Sequence, residues 1–196
     1  MPYYDDWIDE GKEYPNELHL KAYKAGINGA IFPKEYGGTP PENFDAFHEL
    51  ILWDELARTG GGAVLGQLGI DSMALPPVLL AGSQYLKDKV ARDVISGKKH
   101  ISLCISEPGA GSDVANIQTS AILDETGQYY IVNGSKKWIT GGNMADFFTL
   151  ACRTGDEDSG MTGVYDCTVS TECADSTCFS DVSVSHACAC RWLVVM

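Results

Sequence analysis

Cys104-Ile-Ser-Glu-Pro-Gly-Ala-Gly-Ser-Asp113, followed further on by Lys137-Trp-Ile-Thr-Gly-Gly142, decides how this chain is read. A short apolar run ends at Ser106 and Glu107, then breaks into a loop holding Pro108, Gly109, Gly111 and Ser112. A loop of that kind offers approachable backbone N–H groups and a hydroxyl, which suit a polar, flat or phosphorylated group. The later stretch places Trp138 and Thr140 two residues apart, on one face if the segment is extended.

Before this pair of stretches the chain reads as helical. Asn16 precedes Leu18, Leu20, Tyr23 and Ala25 on a short amphipathic segment that stops at Gly26. The loop 31–41 (IFPKEYGGTPP) is full of helix breakers. Asn43 is the expected cap of a helix whose Phe47, Leu50, Trp53 and Ala57 share a stripe, ending before Gly60. An apolar segment over 63–75 is expected to stop at Pro76-Pro77. Ser83 starts a further helix with Leu86, Val90 and Val94 inward and Gly97 as its C-terminal cap.

After Gly97 the pattern turns to strands, at His100–Ile105, Tyr129–Val132 and Asp146–Arg153. Asn133-Gly134 is a hairpin signal, with a return predicted through Lys136–Thr140. Helices first and antiparallel strands second predict an α+β chain. Its divisions are an all-helical unit over 1–98, an incomplete antiparallel β-domain over 99–155, and a tail over 156–196 to which no domain is assigned. In that tail periodicity is lost, and no strand is expected after Arg153.

The chain has 196 residues and a formal net charge of −13, which argues against nucleic acid as a partner. Residues 156–196 hold seven acids against one base, Arg191. Five cysteines (Cys167, Cys173, Cys178, Cys188, Cys190) also crowd there, and their spacing repeats no metal-binding pair. Cys104 and Cys152 lie in apolar strand-like runs and read as buried, inert thiols. No run approaches the roughly 18 apolar residues of a membrane span. The acidic start resembles neither a secretory signal nor a transit peptide.

Three motifs in order (Ile31 to Gly38, Cys104 to Asp113, and Lys137 to Thr140) resemble those of the acyl-CoA dehydrogenase family. The resemblance runs from Asp5 to about Arg153 and implies FAD as cofactor. Carried over, the backbone of Ile105 and Ser106 and the Ser106 hydroxyl bond the flavin's pyrimidine edge. Trp138 covers one face of the ring, and Thr140 reaches its reactive nitrogen region. Gly111 lets the backbone approach, and Ser112 bonds the acyl-CoA chain. Leu103 and Ile139 complete the flavin-facing set, Leu103 standing where the family often has an aromatic residue.

Each of these residues also has a plainer reading: Trp138 as core, Ser106 and Thr140 as strand residues, the Gly-Ala-Gly-Ser run as a turn. Glu107 is expected to anchor the turn and Asp113 to cap backbone N–H groups. His19, His48 and His100 read as packed or surface histidines.

The family's reaction is α,β-dehydrogenation of an acyl-CoA thioester with hydride passed to FAD, part of fatty acid metabolism. Its catalytic base comes from a C-terminal helical domain, which also supplies the homo-oligomer interface. Neither is recognisable here, so the chain is expected to be a fragment clipped at both ends, with no catalytic base of its own. The tail then reads either as a shifted frame or retained intron, or as part of a truncated paralogue that serves as a binding protein. An acyl-CoA oxidase or nitroalkane oxidase relative is the further alternative. The resemblance also implies an electron-transfer flavoprotein as partner and a mitochondrial or cytoplasmic setting.

Overall fold

The computed structural model describes residues 14, 15, 17–125, 127 and 130–154, and the backbone of two further strands, 164–170 and 192–194. The expectations for Asn16 and for Cys173, Cys178, Cys188 and Cys190 lie outside the described residues.

The helical part opens with α1 (Glu17–Lys24), which buries His19 and Ala22. Leu18, Leu20 and Tyr23 are only half-buried and Ala25 is exposed, so the expected stripe is rotated toward the small and polar positions. A 3₁₀ turn, Lys34–Tyr36, carries the breaker-rich loop. Helix α2 (Ala46–Arg58) is capped by Asp45, not by Asn43. The Asp45 carboxylate accepts from the Phe47 and His48 N–H groups, and the Asp45 N–H donates back to His48 Nδ1, a reciprocal cap. No residue of α2 is buried; of its apolar stripe, Phe47 is 73% and Leu50 62% exposed.

Helix α3 (Gly62–Gly69) continues through α4 (Asp71–Ala74) and α5 (Pro76–Ala81). Pro76-Pro77 does not end the apolar run but opens α5, because a proline in the first turn forfeits no helical hydrogen bond. The window Val64–Ala81, 18 residues with mean hydropathy 1.4, has the length and apolarity of a span, contrary to expectation. Half of it is buried inside the fold. The last helix runs from α6 (Gln84–Leu86), capped by the Ser83 hydroxyl, through a π-turn (Lys87–Ala91) to α7 (Arg92–Ile95). It ends at Gly97, whose φ of +72° lets Lys98 N–H reach back to the Asp93 carbonyl at 2.9 Å.

Among the described residues six strands follow: β1 (Ile101–Cys104), β2 (Ser120–Leu123), β3 (Tyr130–Asn133), β4 (Phe147–Arg153), β5 (Val164–Ser170) and β6 (Trp192–Val194). The sheet is mixed rather than antiparallel. β1 and β4 are parallel, Ile101 opposite Phe147 and Cys104 opposite Leu150. β2 and β3 pair antiparallel, as do β4 with β5 and β3 with β6. The chain leaves β1, makes the β2–β3 hairpin, and returns beside β1 in the same direction, which a long connection permits.

β3 pairs with the strand before it, Leu123 opposite Tyr130, so Asn133-Gly134 is not the turn of a hairpin. Gly134 instead closes on Thr119, where a Cβ would come within 2.6 Å of the backbone, and 135–139 run without strand structure. β2, with its sequence SAIL, carries too short an alternation to have been predicted. β5 lies in the tail where no strand was expected; its VYDCTVS is rich in the β-branched and aromatic residues that favour strands.

Every residue of β4 is buried, as in a central strand covered on both faces. Phe147 joins Leu75, Val78, Val94, Ile95 and Ile101 in a core shared by helices and sheet. Thr149 on the same face donates its hydroxyl to the Ala74 carbonyl at 2.6 Å. Phe148, Leu150 and Cys152 point the other way, to Cys104, Ala121 and Val132. The cores on both faces thus hold the end of β1 rigidly where it opens into the 105–113 loop.

Candidate functional site

Beyond β1 the chain enters a tight turn, Glu107-Pro108-Gly109-Ala110. Glu107 N–H donates to the Ala110 carbonyl at 2.8 Å, and Ala110 N–H to the Glu107 carbonyl at 3.2 Å. Pro108 suits the second position of such a turn, since its ring presets φ. The Glu107 side chain folds inward and anchors the loop as expected. It accepts from the backbone N–H groups of Gln118 (2.7 Å) and Thr119 (3.0 Å), and from the Lys136 ammonium (2.8 Å). Burial alone would raise its pKa, but the hydrogen bonds from Lys136, Thr119 and Gln118 outweigh it and hold the carboxyl below the ordinary range. Asp113 makes no side-chain cap; its carboxylate accepts from the Asn116 amide.

The second stretch lies against the first in the opposite direction. Ser102 Oγ donates to the Thr140 carbonyl at 2.8 Å, and Lys137 N–H to the Ser106 carbonyl at 2.9 Å. Lys136 Nζ reaches the Ile105 carbonyl at 2.9 Å. The residues 102–107 and 136–140 therefore form one surface, although the second segment is irregular rather than extended. Trp138 has φ +62° and is 77% exposed, so its indole is no part of the core. A bulky residue in left-handed backbone is a marked outlier. The Lys137 ammonium stands 4.5 Å from the centre of its ring.

The other predicted residues are placed as follows. Leu103 packs against the core shared by helices and sheet, and Ile105 against Ala110, Ile117 and Ala151. Ile139 packs on the far face of the sheet with Phe148 and Leu150. Ser106 is half-buried, whereas Gly111, Ser112 and Thr140 are exposed. Gly109 and Gly111 have open space where a Cβ would stand, and neither has a left-handed φ. Neither glycine is required by crowding or conformation within the chain, so room is left beside the backbone for something else.

Ser102 and Lys136 were missed by sequence reasoning. Both sit one or two residues outside the quoted stretches, and the only signal was an acid in one stretch and a lysine pair at the edge of the other. Cys104 and Cys152 are buried, as expected, and burial pushes the Cys104 pKa up to about 12. Among the described residues, no cluster of His, Cys, Asp and Glu could hold a metal ion.

A family profile described as "Acyl-CoA dehydrogenase, N-terminal domain" matches residues 1–98, and one described as "Acyl-CoA dehydrogenase, middle domain" matches residues 102–175. The chain is similar to "Acyl-CoA dehydrogenase AFT10-1" of Alternaria alternata, 38% identical over 175 residues, covering 84% of this chain and 40% of that protein. It is also similar to "Caffeyl-CoA reductase-Etf complex subunit CarC" of Acetobacterium woodii, 33% identical over 159 residues, covering 81% of this chain and 40% of that subunit. Among solved structures, butyryl-CoA dehydrogenase from Megasphaera elsdenii superposes with a TM-score of 0.76 at 25% identity, covering 99% of this chain and 50% of that one. The chain thus spans about half the length of such structures, and less of the curated relatives.

Proposed function

The chain belongs to the acyl-CoA dehydrogenase family, and on that premise we propose that its 102–113 and 136–140 surface binds FAD beside an acyl-CoA thioester. FAD supplies the hydride acceptor for α,β-dehydrogenation. The observation that carries this reading is the antiparallel seating of the two stretches, which leaves the Trp138 indole standing clear of the core. The residues fit a flat, polar-edged group: an apolar indole face, the backbone and hydroxyl of Ser106 beside it, and open space over Gly109 and Gly111.

In this reading Trp138 covers one face of the ring and limits access of solvent and oxygen. The backbone of Ile105 and Ser106 and the Ser106 hydroxyl bond its pyrimidine edge, and Thr140 lies near its reacting side. Leu103 and Ile139 back the site from the core. Gly111 allows close approach, and Ser112 bonds the acyl-CoA chain. The α-proton is taken by a carboxylate of the family's C-terminal helical domain, which none of these residues replaces. The likeness to a caffeyl-CoA reductase subunit supports an acyl-CoA substrate without favouring a fatty chain over an aryl one. The same likeness supports an electron-transfer flavoprotein as partner and assembly into a multimer.

The test is spectroscopic. Titrated with FAD, the chain should quench its tryptophan fluorescence, and the quench should be lost in Trp138→Ala. Under anaerobic acyl-CoA the flavin bound to residues 1–196 should keep its colour, because the base is assigned to a C-terminal helical domain outside these residues. Failure to take up FAD would overturn the flavin reading, and bleaching would overturn the assignment of the base to another domain.

A further inference from the structure

Lys136 stands at the edge of the proposed flavin surface, and its inward-turned side chain ties the two stretches together. Its side chain is 10% exposed and that of Glu107 only 7%, so their contact is a buried ion pair. Removing two opposite charges from water is costly, and a buried pair is weak evidence for stability in itself. What the pair orients is therefore the more informative question.

The Lys136 ammonium donates to the Ile105 carbonyl at 2.9 Å as well as to Glu107. In a trans peptide the carbonyl and the next N–H point in opposite directions. With the Ile105 oxygen held inward on a buried ammonium, the Ser106 N–H is turned outward. An ammonium on the carbonyl also polarises the peptide and strengthens that N–H as a donor. The next carbonyl, of Ser106, is fixed by the Lys137 N–H at 2.9 Å, so the peptides on both sides of Ser106 are tethered to one short segment. That segment continues directly into Trp138. Glu107, held by Gln118 and Thr119, keeps the lysine from swinging toward water.

We propose that Lys136, with Glu107 as its counter-charge, is a positioning residue that sets the Ser106 N–H and the Trp138 indole at a fixed separation for the flavin. The inference rests on the flavin reading above and adds the device that makes the two contacts act as one.

The experiment uses the full chain carrying Lys136→Met together with Glu107→Gln. The glutamine Oε1 keeps an acceptor for one of the Gln118 and Thr119 N–H groups but not both, and no lone charge is left buried. The circular dichroism should stay close to wild type, with a modest fall in melting midpoint. The dissociation constant for FAD should rise by about tenfold, the scale of a lost hydrogen bond to a charged group. The shift of the flavin's visible band that the wild type produces should disappear. A folded double variant that binds FAD within about twofold of wild type, with the same band shift, overturns the inference. If the double variant does not fold, Lys136→Arg decides, since it keeps the charge but moves the donors. A folded Arg variant with weakened FAD binding and an altered band supports the inference, and one with native values overturns it. A wild-type chain that takes up no FAD sinks the flavin reading and this inference together, whereas equal binding by wild type and variant sinks this inference alone.

Discussion

Trp138 combines two features that each cost stability, a left-handed φ of +62° and an indole 77% exposed. A side chain with a Cβ in that backbone region loses roughly 1–2 kcal/mol relative to glycine. Strain of this kind persists where the surroundings over-determine it, which is often at a binding site. Trp138→Gly should therefore raise stability by about 1 kcal/mol in chemical denaturation while weakening FAD binding; a loss of stability would refute the strain argument. Gly111 makes the complementary case. Nothing in the chain lies within 4 Å of where its Cβ would stand, and its backbone is not left-handed. Gly111→Ala should leave the fold intact or slightly stabilised, by roughly 0.4–1 kcal/mol, since it restricts only the unfolded chain. If the glycine serves close approach of a ligand, the same change lowers affinity for FAD or acyl-CoA in a titration. Unchanged affinity for both would show that the glycine has no such duty.

At the scale of elements, what was legible in the sequence was what local pattern determines. The helix from Ser83 to Gly97 was read with its cap, its inward Val90 and Val94 and its terminal glycine. The apolar run FFTLAC gave β4. The parallel pairing of β1 with β4 was not legible, because register between strands some forty residues apart leaves no local signature. Nor was the outward stripe of α2, since periodicity shows that residues share a face but not what covers it. For the site, the two stretches were visible as motifs, but their tether through Lys136 and Ser102 required the fold.

A matched pair of glycines tests how tightly the elements dock. Gly26 and Gly97 both end helices with left-handed φ, +78° and +72°. A Cβ on Gly26 would meet no atom within 4 Å, whereas on Gly97 it would lie 2.4 Å from the His19 backbone carbon. Gly26→Ala should cost only the conformational penalty, about 1 kcal/mol, and Gly97→Ala at least about 2 kcal/mol. Equal losses in urea titration would mean that the end of α7 can move away from α1 freely.

In the molecule as a whole, that junction is polar at its centre. His19 from α1 is fully buried, its ring 4.5 Å from that of His100, which leads into β1. Asp71 from α4 is buried beside it, with its Oδ2 3.9 Å from His19 Nε2 and 3.4 Å from the Asn28 amide nitrogen. The His100 N–H donates to the Asp146 carboxylate at 2.8 Å, tying the cluster to the start of β4. His19 and Asp71 are too far apart for a hydrogen bond, and burial favours the uncharged form of each. Burial first, and the neighbouring His100 second, bring the His19 pKa down to about 4, while burial raises Asp71 well above its ordinary value. The two act in opposite senses on stability. A histidine with a depressed folded pKa contributes stability that is complete above about pH 6.5 and is lost as the pH falls toward 4. The buried Asp71 carboxyl contributes at low pH and loses that contribution as the pH rises through its raised pKa. The loss due to His19 is about 3 kcal/mol over its window. The lowered Glu107 carboxyl adds its own loss only near and below pH 4.5, so from 6.5 to 4.5 the groups that act are the two buried histidines and Asp71, which opposes them. Melting midpoints taken across that interval should fall further for the wild type than for His19→Gln, the difference between the two being the histidine's share. The residual slope combines His100, whose pKa burial also lowers, with Asp71 acting in the opposite sense. A variant that melts with the full wild-type slope would show that His19 is not the group through which acid separates the helices from the sheet.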